Sequence, residues 1–577
     1  MASLGRTVLA RHRMARLWAL GDRNKPCSKT PGLVITDNEF DITLAPFRIS
    51  SDGGIPRNVN LISRAPFAPW ESADNGPKLS ASIGHVLPPS LDEADAGEVA
   101  SKGDMISVSW QSLNHDDELM NPELNPHVVI LSDALQLANR PGKLVKAIHV
   151  IKNRFPGSLL WTPGISGPDN CAVLAWFGVD LFDTTRVKQA ESHNAVITWN
   201  GPRLAMENES SKSHWESALA EVHSAIADSR LRELAQSQSL NSPRLVEHLR
   251  NHDKLISESK GVLSQVVKKG TALRVHSFDS HDEPIILDWV YFISHEYQMP
   301  DGLDDVLILL PCSARKPYSS SRSHKAFRRA INHSSAHEVI ITSPLGLVPR
   351  DLEEVWPAGH YDIPVTGDWT LDEVDRVRSM LDSMVEKNNY RVIINHSGLE
   401  YTSKVPVIDT RDGKSATSNE ALRILGNAVS EHMQTKKRSG EKINIDNFRS
   451  VARLHHLNDD WLDGVQVRGR FPRWKILKDG EQIAMWAPER GSFSIAKAGI
   501  PILDSCNSLK RISLKEGITW KGDVNLANLE SHDVSIKLGE DILVMQGSQC
   551  IGSARASAPA WEWSSTPGRL AKMHQRL

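Results

Sequence analysis

The chain has 577 residues, 24% of them charged and 40% hydrophobic, with a formal net charge of −3. That length excludes a single core and suggests three to five domains of roughly 100–200 residues each. The balanced charge excludes a global basic field, so contact with nucleic acid has to come from local patches. No apolar run reaches the about 18 residues of a membrane span. Five scattered cysteines (27, 171, 312, 506 and 550) form no Cys-x-x-Cys pair, which fits a reducing cytoplasm better than a disulfide framework or a cysteine-only zinc site.

The start carries Arg6, Arg11, Arg13 and Arg16 but no signal-peptide apolar region or cleavage site, so it is read as an ordinary folded or frayed terminus, with an Arg-rich organellar transit peptide as the alternative. The first hundred residues are punctuated by Pro and Gly, with short β-like runs such as 32–36. From His127 strands alternate with helices. Strands are expected at 127–131, 159–161 and 179–182, and helices at 143–153 and 171–177, the latter closed by Gly178. This alternation implies βα units on a parallel sheet. Helical, polar sequence follows. Its histidines (214, 223, 248 and 252) are read as a solvated helix face rather than zinc ligands. Arg230, Arg232, Arg244 and Arg250 are likewise read as solvated, with phosphate contact as the alternative.

In 271–435, strands are expected at 285–293, 306–310, 338–341 and 390–394. A helix is expected at 371–386, opened by Thr370 with Glu373 at capping-box spacing. Between the second strand and a helix at 325–332 lies Pro-Cys-Ser-Ala-Arg-Lys-Pro-Tyr-Ser-Ser-Ser-Arg-Ser-His, residues 311–324. One loop thus gathers a thiol, an amine, a phenol, hydroxyls and an imidazole, the groups from which nucleophilic and proton-transfer chemistry is built. A loop at the carboxyl end of a parallel strand is also a common ligand site. Cys312 is the candidate nucleophile, with Lys316 and the following helix N-terminus expected to favour its thiolate. Lys316 acting itself, with Cys312 only packing, is the alternative. Tyr318 or His324 is the candidate proton donor, and Ser319, Ser321 and Ser323 are candidate contacts for a phosphate, ribose or carboxylate. The structural alternative makes Ser323 the N-cap of the next helix. Arg350, His360 and Asp362 stand in later loops. Arg350 is a candidate carboxylate or phosphate clamp, with a salt bridge as its alternative. His396 is read as structural.

Past 435, Lys436-Lys437-Arg438-Ser439-Gly440 reads as a basic, flexible hinge. Two strand-like runs, 483–486 and 492–495, flank a turn at 487–491. Closely spaced strands are expected at 534–538, 542–546, 547–550 and 551–556. Near them Arg555, Arg569, Lys572 and Arg576 make a local positive excess suited to phosphates. Trp561 and Trp563 are candidates for base stacking, with core packing favoured for at least one.

Two resemblances join these pieces. Gly164-Ile165-Ser166-Gly167-Pro168-Asp169-Asn170, with Gly178-Val179-Asp180-Leu181-Phe182-Asp183, resembles the late strand region of tRNA-guanine transglycosylases, which are barrel enzymes. Asp183 matches their nucleophile, but the partner Asp-Ser-Gly-Gly-Phe-Gln type segment and the Cys-x-Cys-x-x-Cys zinc ligands are absent. The resemblance therefore implies a degenerate TIM-like barrel with a vestigial nucleophile position. The 311–324 loop matches every fixed position of Pro-Cys-x-x-x-Lys-Pro-Tyr-Ser-x-Ser-x-Ser-His. With residues 342–353 and 356–367 it resembles the catalytic core of the archaeosine synthase family.

That family implies addition of an amine, free lysine, to the nitrile of 7-cyano-7-deazaguanine at position 15 of tRNA. A radical-SAM partner enzyme then cleaves the adduct. The implied fold is a multidomain α/β chain. Its parts are a barrel over 1–270, an α/β sandwich catalytic core over 271–435, a small α+β connecting module over 436–512 and a C-terminal PUA β-barrel over 513–577. Arg555, Arg569 and Lys572 are its implied RNA contacts. No metal or cofactor is implied, the location is cytoplasmic with no membrane contact, and a homo-oligomer is open. The alternatives are base exchange through Asp183 or a non-catalytic tRNA-binding subunit.

Overall fold

A computed structural model of the chain describes residues 4–577 apart from 22–23, 38, 50–57, 64–77, 83–103, 259–265, 366 and 471. The chain divides into two compact units, 1–266 with 561–569 and 267–560 with 570–577.

The first unit is built on an eight-stranded mixed sheet. Six strands run parallel in the spatial order Met105–Val108, Val128–Leu131, Leu159–Trp161, Leu181–Asp183, Gly32–Ile35 and Phe47–Ile49; Asn58–Ser63 and Lys78–Ser82 continue it antiparallel. The parallel strands are apolar at nearly every position because both faces are covered. Val129, Leu131 and Leu160 pack with helices Lys143–Arg154, Cys171–Phe177 and Ser211–Ala227, while Val128, Ile130 and Leu159 pack with Trp18 and Leu20. Gly178 takes φ +102 and closes Cys171–Phe177 as the sequence predicts.

The Arg-rich start is a folded antiparallel pair, Arg6–His12 and Ala15–Leu20. Arg6 is buried and donates through Nε and Nη2 to the Gly157 carbonyl (2.9 and 2.6 Å). Arg11 and Arg16 both meet the buried Glu562 carboxylate. Two surface readings are corrected here. His248 and His252 are buried, and His252 stacks on Phe177 at 4.8 Å between ring centroids. Imidazole rings pack against aromatic faces, which a polar/apolar count misses. Arg232 is buried and pairs with Asp253 through two guanidinium nitrogens. Among the described residues no group of three His, Cys, Asp or Glu side chains is placed to hold a metal, and no helix is long and apolar enough to cross a membrane.

The second unit contains, in chain order, α1 (Pro284–Tyr291), β1 (Val306–Pro311), α2 (Arg322–Ile331), β2 (His337–Thr342), β3 (Gly346–Pro349), α3 (Leu371–Lys387), β4 (Val392–Asn395), β5 (Val407–Asp409) and α4 (Asn419–His432). The sheet order is β3-β2-β1-β4-β5, parallel except for the β2–β3 hairpin. Val306, Ile308 and Leu310 face Phe327 and Ile331 of α2 and Leu425 of α4. Leu307 and Leu309 face the other core, with Ile286 and Trp289 of α1 and Met380 and Leu381 of α3. The α3 capping box is present, Thr370 accepting from the Glu373 amide and Glu373 from the Thr370 amide.

Three expectations fail in this unit. Residues 284–291 form helix α1, not a strand, because a short apolar run fits either element and Pro284 sits at the helix start. Residues 436–440 are not a flexible hinge. Arg438 pairs with Asp446 at 2.9 Å, Ser335 donates to the Lys436 carbonyl at 2.6 Å, and Ser439 caps the helix Gly440–His455. Residues 534–538 form a turn region in which Asp533 accepts from Ser535, so the strand expected there is absent.

The chain then forms a four-stranded antiparallel sheet, Gln466–Arg470, Arg473–Lys478, Glu481–Ala487 and Ser492–Ile495. A six-stranded sheet follows, in the order Val524–Asn525, Arg569–Arg576, Gln549–Ala556, Asp541–Gln546, Arg511–Leu514 and Leu529–His532.

Candidate active site

Strand β1 ends at the 311–324 loop. Its parallel register with β2 pairs Pro311 with Ile341, so Cys312 leaves the sheet alongside Thr342. The loop closes on Ser321, which caps α2 by accepting from the His324 amide at 3.2 Å; Ser321, not Ser323, is the N-cap.

Cys312 is half-buried in the wall of a cavity of about 590 Å³ that Ser343, Trp369, Glu373, Arg378 and Arg411 also line. The expectation of a favoured thiolate is not met. Burial pushes the Cys312 thiol up and outweighs the Thr342 hydroxyl and Lys316, which pull it down. Lys316 lies with its Nζ 3.9 Å from the centroid of the Tyr361 ring, a cation–π contact. Burial lowers its pKa against the opposing pull of Cys312 and Asp362.

Tyr318 is buried beside this pair. Its hydroxyl shares a short hydrogen bond with Tyr361, and the Tyr361 hydroxyl lies 2.6 Å from Thr342 Oγ1. Burial raises the Tyr318 phenol well above its ordinary value, so it stays protonated. Cys312, Lys316 and Tyr318 therefore converge, together with Thr342 and Tyr361, to which the sequence reading gave no role.

His324 packs against Tyr318, ring centroids 5.3 Å apart, and the other candidates lie elsewhere. His324 is buried, held by a 3.0 Å contact from Arg350 Nη2 to its Nδ1, and pushed down to about 3 by burial and that guanidinium. A neutral imidazole so enclosed is a packing group and does not meet the expectation of a proton donor. Arg350 is spent on Glu338 and Glu353, each at 2.8 Å, rather than free to clamp a ligand. Ser319 donates its amide to Glu353 at 2.8 Å, and with Ser320, Arg328 and Arg350 it lines a separate cavity of about 680 Å³. Ser321 and Ser323 are within 3.2 Å of each other at the helix cap.

His360 donates to the Pro488 carbonyl at 3.0 Å, and Asp362 is exposed beside His276 at 3.2 Å. His396 is buried between Thr410 and the Ala416 carbonyl, a structural placement. Glu373, which no sequence signal marked beyond its capping role, lines the Cys312 cavity and accepts from Ser343.

In the first unit, Asp183 stands at its strand end with its carboxylate filled by donors. Trp161 Nε1 (3.2 Å) and the Gly164 amide (2.8 Å) reach one oxygen and the Thr185 amide (2.9 Å) the other. Near the C-terminus Arg555 pairs with Asp541 at 2.9 Å and Lys572 is exposed. Trp563 is fully buried, and Trp561 packs against Met14, Ile256 and Val266, so core packing accounts for both.

A family described as "Domain of unknown function (DUF5591)" matches residues 286–429. The archaeosine synthase subunit alpha of Methanosarcina acetivorans is 28% identical over 74% of this chain and 76% of its own length. That of Thermoplasma acidophilum is 29% identical over 64% of this chain and 73% of its own length. Among solved structures, AF0587, described as a protein of unknown function, matches 50% of this chain and 99% of its own at 21% identity, with a TM-score of 0.40.

Proposed function

We propose, for a chain related over most of its length to the archaeosine synthases, that it modifies tRNA by adding an amine to the nitrile of 7-cyano-7-deazaguanine. The observation carrying this reading is that the Cys312 thiol, which lines the 590 Å³ cavity, lies beside Thr342 and Lys316, with Tyr361 bonded to Thr342 and under Lys316. The Cys312 sulfur attacks the nitrile carbon, a C–S bond forms, and the nitrile nitrogen takes the electron pair and the thiol proton. The half-buried Lys316, its pKa lowered by desolvation, carries that proton as a base. The incoming amine then adds to the thioimide carbon and gives up a proton to Lys316, the C–S bond breaks, and the departing Cys312 sulfur takes that proton from Lys316, so the amidine leaves and the thiol is restored.

In this reading free lysine is the amine donor and a separate radical-SAM enzyme completes the nucleoside. The C-terminal strands serve as a PUA-like RNA module through Arg569 and Lys572, and the chain works in the cytoplasm. The donor-filled carboxylate of Asp183 disfavours base exchange. The test is incubation with nitrile-bearing tRNA and isotopic lysine, followed by weighing the nucleoside. The expected result is a lysine-mass adduct that Cys312→Ala abolishes. An adduct retained by Cys312→Ala and lost in Lys316→Ala assigns the chemistry to the amine, and no adduct from folded wild-type protein on intact tRNA overturns the reading.

A further inference from the structure

The hairpin Gln466–Arg470/Arg473–Lys478 pairs like with like. Its antiparallel register sets Arg468 opposite Lys475 and Arg470 opposite Arg473. Alternation along a strand puts all four on one face, and all four are exposed, whereas Val467 and Ile476 on the opposite face are buried. Like charges directly opposite in a sheet destabilise it. Arg438, Arg490 and Arg555 of the same unit each meet an aspartate, but among the described residues none of these four has an ion-pair partner, and Arg468 bonds only the Gln466 side chain at 3.0 Å. A face of cations left uncompensated in a chain of net charge −3 is built for an external polyanion.

The same hairpin is tied to the neighbourhood of the candidate active site. Trp474, on its inner face, lines the 680 Å³ cavity shared with Ser319 and Ser320 of the 311–324 loop. Two more exposed cations, Arg328 and Lys437, line that cavity.

We infer that the outer face of this hairpin binds the sugar–phosphate backbone of RNA, holding an arm of the tRNA close to the Cys312 loop. The inference rests on the tRNA-modifying reading for the identity of its partner and on the register for its location. A two-by-two grid of side chains with steps of about 7 Å along each strand presents charge without base-reading groups. Contact there is therefore sequence-independent and salt-sensitive.

The test compares wild type with Arg468→Gln/Arg473→Gln/Lys475→Gln by anisotropy of a labelled tRNA transcript across about 50–200 mM salt. The slope of log K against log salt is expected to fall by about 2–3, with affinity dropping about tenfold or more. The variant is expected to melt no lower than wild type, since like-charge repulsion is relieved. An unchanged slope and affinity overturns the inference. Displacement of tRNA by polyglutamate as effectively as by unlabelled RNA also overturns it, in favour of an acidic-protein surface. In the nucleoside assay the variant is expected to raise KM for tRNA and keep kcat. A slope loss with no lysine adduct in wild type strikes the proposed reaction and leaves the RNA surface standing, and an adduct with an unchanged slope does the reverse.

Discussion

Cys312 stands between opposing influences. Burial raises its thiol, while Lys316 and the Thr342 hydroxyl lower it, and Thr342 is itself bonded to Tyr361, which is bonded to Tyr318. Chained hydroxyls polarise one another, so the last donor in the row is stronger than an isolated one. Tyr361→Phe keeps the ring under Lys316 and removes the link. Iodoacetamide labelling of the Cys312 peptide, followed by mass spectrometry across pH, is expected to slow about threefold near neutral pH, with the labelling midpoint displaced upward. The thiol, amine and phenol of this site were legible because they share one loop. Thr342 and Tyr361 were not, because the β1–β2 register and the segment leading to Tyr361 bring them in from far along the chain. For Arg350 the salt-bridge alternative holds: Glu353, three residues on, is a local partner, while Glu338 comes from β2 and nothing local marks it.

At the scale of elements, helix α3 holds one wall of the Cys312 cavity. Glu373 both closes the capping box with Thr370 and accepts from Ser343, so the helix start and the cavity wall share one carboxylate. Thr370→Ala removes the cap that accepts from the Glu373 amide. It is expected to cost about 1 kcal/mol in urea unfolding, within the usual range for a lost N-cap. That helix was readable from apolar spacing and cap residues, as were Leu159–Trp161 and Cys171–Phe177, whose patterns are long or sharply bounded. The run 284–291 was not, since a stretch of eight residues, apolar except for Asp288, carries no period that separates strand from helix. The cationic hairpin face was also hidden, because which arginines oppose each other is decided by register rather than by composition.

For the whole molecule, buried titratable groups pull stability in opposite directions with pH. Burial and the neighbouring Glu353 carboxylate push Glu354 up to about 8 from an ordinary 4.5, so the folded state holds a proton that the unfolded state has released. Its contribution is complete below 4.5 and is lost as pH rises towards 8. Glu354→Gln is therefore expected to unfold at higher urea than wild type at pH 9, and the difference should shrink as pH falls to 5. On the acid side, His324 and His337, both pushed down to about 3, contribute stability that is present above 6.5 and lost as pH falls towards 3.

The composition of the first unit also bears on synthesis. Glu562, which offsets the buried Arg11 and Arg16, belongs to the same compact unit as those arginines yet leaves the ribosome some 550 residues after Arg11. Until residue 562 has been made, the strands that carry Arg11 and Arg16 lack this carboxylate. A nascent chain stopped between residues 16 and 561 thus holds two arginines without the carboxylate that this unit sets against them.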